Sequence, residues 1–182
     1  CALTLGLPVI QPETLRTPEV LKQLAAFEAD LFIVTAYGQI LPQTVLDLPT
    51  HGALNIHASL LPRHRGAAPI QWAILDGDAE TGITLMRMDA GLDTGDMITT
   101  AKTSITKSDT AETLHDRLAE MGAALLVQSL PAFLGGTLVT VSQDDSQSTY
   151  ARKITKQDGR IDWTQPATNI HSQWRALTPW PG

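Results

Sequence analysis

The sequence predicts an α/β protein with an open, mostly parallel sheet flanked by helices. Two short apolar runs, Leu31–Ala36 and Leu54–His57, are separated by a helix-like segment, and helix between neighbouring strands is the crossover pattern of a parallel sheet. Ala53–Gly66 passes from an apolar strand directly into a polar, basic loop punctuated by Pro62 and Gly66, which is how such a sheet builds a site at the carboxyl ends of its strands. With 182 residues, 43% of them hydrophobic, the chain is long enough for one domain with a real core and short for two.

The elements follow in order. A helix-like scrap leads into an extended segment at Pro8-Val9-Ile10. Thr17 before Pro18 is a cap with proline at the first helical position, and Val20, Leu21, Leu24 and Phe27 recur at helical spacing to about Glu28. Leu31–Ala36 suits a strand buried on both faces. Pro42 starts a short helix to about Leu46, Leu54–His57 is the next strand, and Ala67–Leu75 is a helix stopped at Asp76-Gly77-Asp78. Ile83 and Leu85 mark a strand paired antiparallel with another from Met97 to about Ile105. Ser108-Asp109-Thr110 precedes the longest helix, with Leu114, Leu118, Met121, Leu125 and Leu126 on one face and Gly135-Gly136 at its end. Leu138–Val141 reads as a strand, and Pro166 starts a last helix carrying Ile170, Trp174 and Leu177.

Composition excludes several functions. No apolar run is long enough to span a membrane and no leader is present, so no membrane partner is expected. The single cysteine, Cys1, can make neither an internal disulfide nor a thiolate metal cage, which points to a reducing, cytoplasmic compartment. A net charge of −6 argues against this segment alone binding nucleic acid electrostatically. The start at Cys1 and the close at Pro179-Trp180-Pro181-Gly182 suggest a piece of a longer chain, with a basic partner domain elsewhere.

Asn55 and His57 stand two apart on a strand and so leave the same face. An amide and an imidazole aimed together suit a carbonyl whose oxygen turns negative during a reaction. The plainer alternative is an asparagine capping a turn beside a satisfied core histidine. Asp89, Asp93 and Asp96 form an acidic loop that could hold Ca²⁺ or Mg²⁺, although its spacing misses the calcium-loop pattern. Gly91 and Gly95 suggest instead a backbone bent to present Asp93, and a turn aspartate bonding its own backbone is a third reading. Dinucleotide and phosphate-loop glycine patterns and a serine elbow are missing from these residues. His51, His64, His115 and His171 do not form metal-ligand pairs and read as surface or loop histidines, and the tryptophans as core or linker anchors. Proton management and oxyanion stabilisation around Asn55, His57 and a nearby carboxylate remain. Asp93 follows the strand after the docked helix, so its loop could reach the same sheet edge.

The run Leu54–Gln71, with Thr81-Gly82-Ile83-Thr84 and Met88–Asp96, resembles the folate-dependent formyltransferase family, and the likeness extends from Pro8 to Gly182. The resemblance implies a Rossmann-like domain using 10-formyltetrahydrofolate as formyl donor, without a metal. Within the family it is strongest to members whose acceptor is the α-amine of methionyl initiator tRNA, which implies tRNA and folate as partners of a full-length protein that is a monomer. It places the catalytic set on Asn55, His57 and Asp93. Folate contacts fall on Ser59, Leu60, Leu61 and Pro62, with a pterin-side backbone at Gln39, Ile40 and Leu41. It makes residues 1–150 a catalytic domain lacking its first strands, which would lie beside strands at Val9 and Leu31, and residues 151–182 the end of that domain and a linker toward a further one.

Overall fold

The computed structural model describes residues 2–182; Cys1 lies outside them. Helix α1 spans Pro18–Ala25, and the Thr17 hydroxyl accepts from the Val20 N–H at 3.4 Å, a cap worth about 1 kcal/mol. Strand β1 is Phe32–Val34, followed by the short helix α2, Gln43–Leu46, and strand β2, Ala53–His57. After β2 come β3 (Arg65–Gly66), α3 (Pro69–Leu75), β4 (Glu80–Arg87) and β5 (Met97–Ser104). Helix α4, Ala111–Leu134, is capped by Thr110 and Thr113 reciprocally, and β6 (Tyr150–Ala151) and α5 (Ala167–Ala176) complete the chain.

The main sheet runs β1-β2-β4-β5, and a small parallel pair joins β3 to β6. This α/β sheet is mixed rather than mostly parallel: β1 and β2 are parallel, but β4 is antiparallel to both β2 and β5. The reason lies in the connection. His57, at the end of β2, faces Thr84 midway along β4, whose first residues extend beyond β2, so the chain leaves and re-enters the sheet at one end.

Three packed clusters make the core. Leu114 and Leu118 of α4 meet Ile74 of α3, Ile83 of β4 and Leu177 beyond α5. Leu41, Val45 and Leu46 pack with Leu15 and Ala53 beneath α1. Leu54, Leu85, Ile98 and Phe133 fill the space between α4 and the sheet. Gly122 lets α4 approach closely: a Cβ there would lie 2.8 Å from Ile56 Cγ2.

Four expectations need correction. Strand β1 is not buried on both faces, because it is the outer strand and α4 lies over β4 and β5; Ile33 is 40% exposed. Pro8-Val9-Ile10 forms no strand, and Val9 and Ile10 face outward. Leu138–Val141 forms no strand either: only Val141 bridges Met97, while Val139 is exposed and makes no ladder. Of the tryptophans, Trp72 packs against the core as expected, but Trp163, Trp174 and Trp180 are all more than half exposed and anchor no core; buried Arg175, Ala176 and Leu177 seat α5 instead. Arg175 does so by donating through Nη1 to the carbonyls of Thr106 (3.0 Å) and Asp109 (3.1 Å).

Candidate active site

Asn55 and His57 project from one face of β2, as their spacing requires, and both reach the same atom. Asp93 Oδ1 accepts from Asn55 Nδ2 at 3.2 Å and lies 3.7 Å from His57 Nδ1. The opposite edge of the imidazole, Nε2, sits 2.9 Å from the His64 carbonyl oxygen. A carbonyl only accepts, so Nε2 carries the proton and Nδ1 is the edge presented to Asp93. His57 is buried but satisfied on one nitrogen alone, and Asn55 lies within a strand rather than capping a turn.

The route by which Asp93 arrives differs from the parallel-sheet argument. Since β4 runs antiparallel, the loop after it begins at the far end of β2, where Met88 N donates to Ala53 O. It then folds back over the sheet, and Asp93 takes a left-handed backbone, φ 53°, at the tip. The second carboxylate oxygen accepts from the Gly66 N–H at 2.8 Å. Gln143 donates through Nε2 to the carbonyls of Asp93 and Gly95 at 2.8 and 2.7 Å, and Arg65 holds Gln143 through Nε at 2.9 Å. The three acidic side chains therefore diverge. Asp89 turns to Thr94 and the Gly91 N–H, Asp93 to Asn55 and Gly66, and Asp96 accepts from Thr140 and Ser142.

The loop after β2 is pinned to β4. Thr84, fully buried, donates to Ser59 O at 2.7 Å and accepts from Leu61 N at 3.1 Å. Ser59 is buried and its hydroxyl donates to Arg63 O at 2.6 Å, so its side chain is committed within the loop; Leu61 is buried, and Leu60 and Pro62 are half-buried. Of the other residues expected to meet folate, Gln39 and Ile40 are exposed, whereas Leu41 is buried in the cluster beneath α1. Their loop leaves β1 beside Asn55, because Val34 pairs with Asn55 in register, so it stands at the same sheet end as residues 58–62.

The family model described as formyl transferase matches residues 4–130, and that described as formyl transferase, C-terminal domain, matches 153–182. The chain belongs to the formyl transferase family. Among curated relatives, a methionyl-tRNA formyltransferase of Pseudomonas syringae pathovar tomato is 55% identical over 99% of this chain and 57% of its own length. That of Listeria welshimeri is 51% identical over 99% of this chain and 58% of its own. The chain thus spans a little over half the length of the curated relatives it matches. A 4-N formyltransferase structure from Francisella tularensis aligns with a TM-score of 0.80 at 18% identity, over 100% of this chain and 72% of that one. HypX from Aquifex aeolicus, solved with tetrahydrofolic acid, aligns with 0.78 at 21%, over 91% and 29%. Both speak to the fold.

Sequence reasoning missed several members of this cluster. His64 is the loop histidine that was one of its two readings, but it is buried rather than at the surface: it is 3% exposed, with Nε2 2.6 Å from Asp78 Oδ2. Gln143, Arg65 and Gly66 brace Asp93 from far along the chain, and no local pattern marks Gln143. Gly66 carried a signal, being a glycine just past the basic loop. Its φ is +116°, and a Cβ there would lie 2.6 Å from Ala151 O.

Proposed function

We propose that the chain carries the formyl-transfer site of a methionyl-tRNA formyltransferase, which moves a formyl group from 10-formyltetrahydrofolate to the α-amine of methionyl initiator tRNA in the cytoplasm. The observation that carries this reading is the meeting of Asn55, His57 and Asp93 in a chain more than half identical to curated enzymes of that name. The donor set fits a formyl oxygen, since an amide and an imidazole edge open on one face. The folate supplies an electrophilic carbonyl carbon. Everything else in the scheme falls to the protein.

Asn55 has a second N–H beyond the one given to Asp93, and it donates to the formyl oxygen as the amine attacks and negative charge gathers there. With Nε2–H engaged by His64 O, a protonated His57 offers Nδ1–H to the same oxygen and faces the Asp93 carboxylate as an ion pair. Each well-placed donor is worth about 3 kcal/mol in the transition state. Asp93 also orders the water that takes the amine's proton and hands one to N10 as the bond from formyl carbon to N10 breaks, so that tetrahydrofolate leaves neutral at that nitrogen. Holding amine and carbonyl together supplies the remaining acceleration. The exposed backbone at Gln39 and Ile40 and the Ser59–Pro62 loop flank this point and are read as the folate contacts.

Residues 151–182 are read as the end of the catalytic part and the approach to a further domain. Ala151, Ile154, Ala176 and Leu177 are buried, in support of the first half of that reading.

Acceptor choice tests the proposal. Formylation with 10-formyltetrahydrofolate, by this chain and by a form extended at both ends, is measured with methionyl initiator tRNA, an amino-sugar nucleotide and a glycinamide nucleotide. Transfer to the tRNA alone is expected. Transfer to another amine would redirect the substrate assignment, and none to any acceptor would leave a folate-binding module.

A further inference from the structure

We propose that Asp78 is a positioning residue for His57, acting through His64. The inference rests on the reading of His57 as a site residue, and its readout needs neither folate nor acceptor.

The imidazole of His57 can place its single neutral-state proton on either nitrogen, and what selects the edge shown to Asp93 is the partner of the other. That partner is the His64 carbonyl, 2.9 Å from Nε2. The direction of this carbonyl is set by the backbone at His64, which adopts φ 58°. A side chain other than glycine rarely holds that conformation unless its surroundings impose it. Here they do so on both sides. The His64 N–H donates to Thr149 Oγ1 at 2.8 Å, and the buried ring bonds through Nε2 to Asp78 Oδ2 at 2.6 Å.

Asp78 is itself fixed. It stands in the turn after α3, its N–H donates to Ala73 O at 3.0 Å, and its other oxygen accepts from Arg63 Nη2 at 2.7 Å. Asp76 also faces the ring, with Oδ2 3.9 Å from His64 Nδ1. These residues lie behind the site, beside a cleft of about 240 Å³ bounded by Leu60, Arg63 and Asp78–Thr81. A carboxylate that touches no part of the proposed reaction centre thus orients a left-handed residue, and that residue's carbonyl orients His57. The one hydrogen bond that holds the imidazole is at Nε2, through the Asp78–His64 pair, and Nδ1 is thereby left facing Asp93 at 3.7 Å.

The test is ¹⁵N NMR of the imidazole nitrogens in the full chain without ligands, at a pH of about 8.5 where free imidazole is neutral, with His57 assigned from the spectrum of His57→Gln. The expected wild-type result is one His57 tautomer, protonated at Nε2. Asp78→Ala should draw the two His57 resonances toward their average, while Asp78→Asn, which keeps an acceptor for the His64 ring, should restore the wild-type pattern. A single Nε2–H tautomer in folded Asp78→Ala overturns the proposal. Should that variant fail to fold, His64→Gly carries the test, because glycine tolerates the left-handed backbone but has no ring for Asp78 to hold. Averaging is expected there as well, and an unchanged tautomer overturns the proposal. Failure of formyl transfer would leave these spectra unaffected, so the two readings fail separately.

Discussion

Asp93 Oδ1 stands 3.2 Å from the amide of Asn55 and 3.7 Å from Nδ1 of His57, so one carboxylate oxygen organises both proposed donors. Removing the imidazole in His57→Ala, or the charge in Asp93→Asn, should lower kcat by two or more orders of magnitude while folate affinity changes little. Single-turnover formylation and folate titration separate the two quantities, and near-normal turnover in either variant would remove that residue from the catalytic set. Gly66 makes a backbone contribution: its N–H reaches Asp93 Oδ2 at 2.8 Å in a conformation that leaves no room for a side chain. Gly66→Ala is expected to displace β3 from β6, loosen the Asp93 loop and lower both kcat and the unfolding midpoint, measured by turnover and thermal melts. The spacing of Asn55 and His57 was legible because strand alternation is a local rule. The roles of His64, Gln143 and Arg65 were not, because each depends on a partner distant in the chain.

At the scale of elements, the site is assembled by two structures that local patterning described only in part. Both strands of the β4–β5 pair and their antiparallel pairing were readable in the sequence, but the direction of β4 relative to β2 was not, since it depends on which end of the sheet the chain re-enters after α3. The 138–143 segment shows a different gap. Its β-prone residues suggest a strand, yet Thr140 and Ser142 bond Asp96 while Gln143 bonds the carbonyls of Asp93 and Gly95, so the segment serves as a brace for the acidic loop. Helix α4 meets the sheet where Gly122 faces Ile56. Adding a methyl in Gly122→Ala places it 2.8 Å from a branch carbon with little freedom to move, and a loss of about 1–3 kcal/mol is expected from chemical denaturation. Unchanged stability would mean that α4 can shift away from β2 without cost.

Across the whole molecule, the last thirty residues close over the core that α3 and α4 share through Ile154, Ala176 and Leu177, and a local ion pair shapes the start of that stretch. The Arg152 side chain bonds both oxygens of Asp158, at 3.0 Å for the Nη1 contact, and Thr155 adds its N–H and hydroxyl. The Arg152 hydrogen bond, reinforced by those from Thr155 against some desolvation, holds the Asp158 carboxyl well below the usual carboxylate range. A depressed folded-state value means that this stabilisation is fully present above the unfolded carboxylate value of about 3.9 and fades as pH falls through the lower folded value. Asp158→Asn should therefore unfold more easily than wild type at pH 7, with the gap narrowing below about pH 4; melts across that range check it, and a gap independent of pH would refute the assignment. Among the described residues no helix is long and apolar enough to cross a membrane. By itself the sequence determined the α/β class, the helix capped at Thr17, and the shared face of Asn55 and His57, because these follow from spacing and capping within a few residues. Only the tertiary structure decided the antiparallel course of β4, the return of Asp93 across the sheet and the grip of Asp78 on His64, because each depends on where distant segments meet once the core has closed.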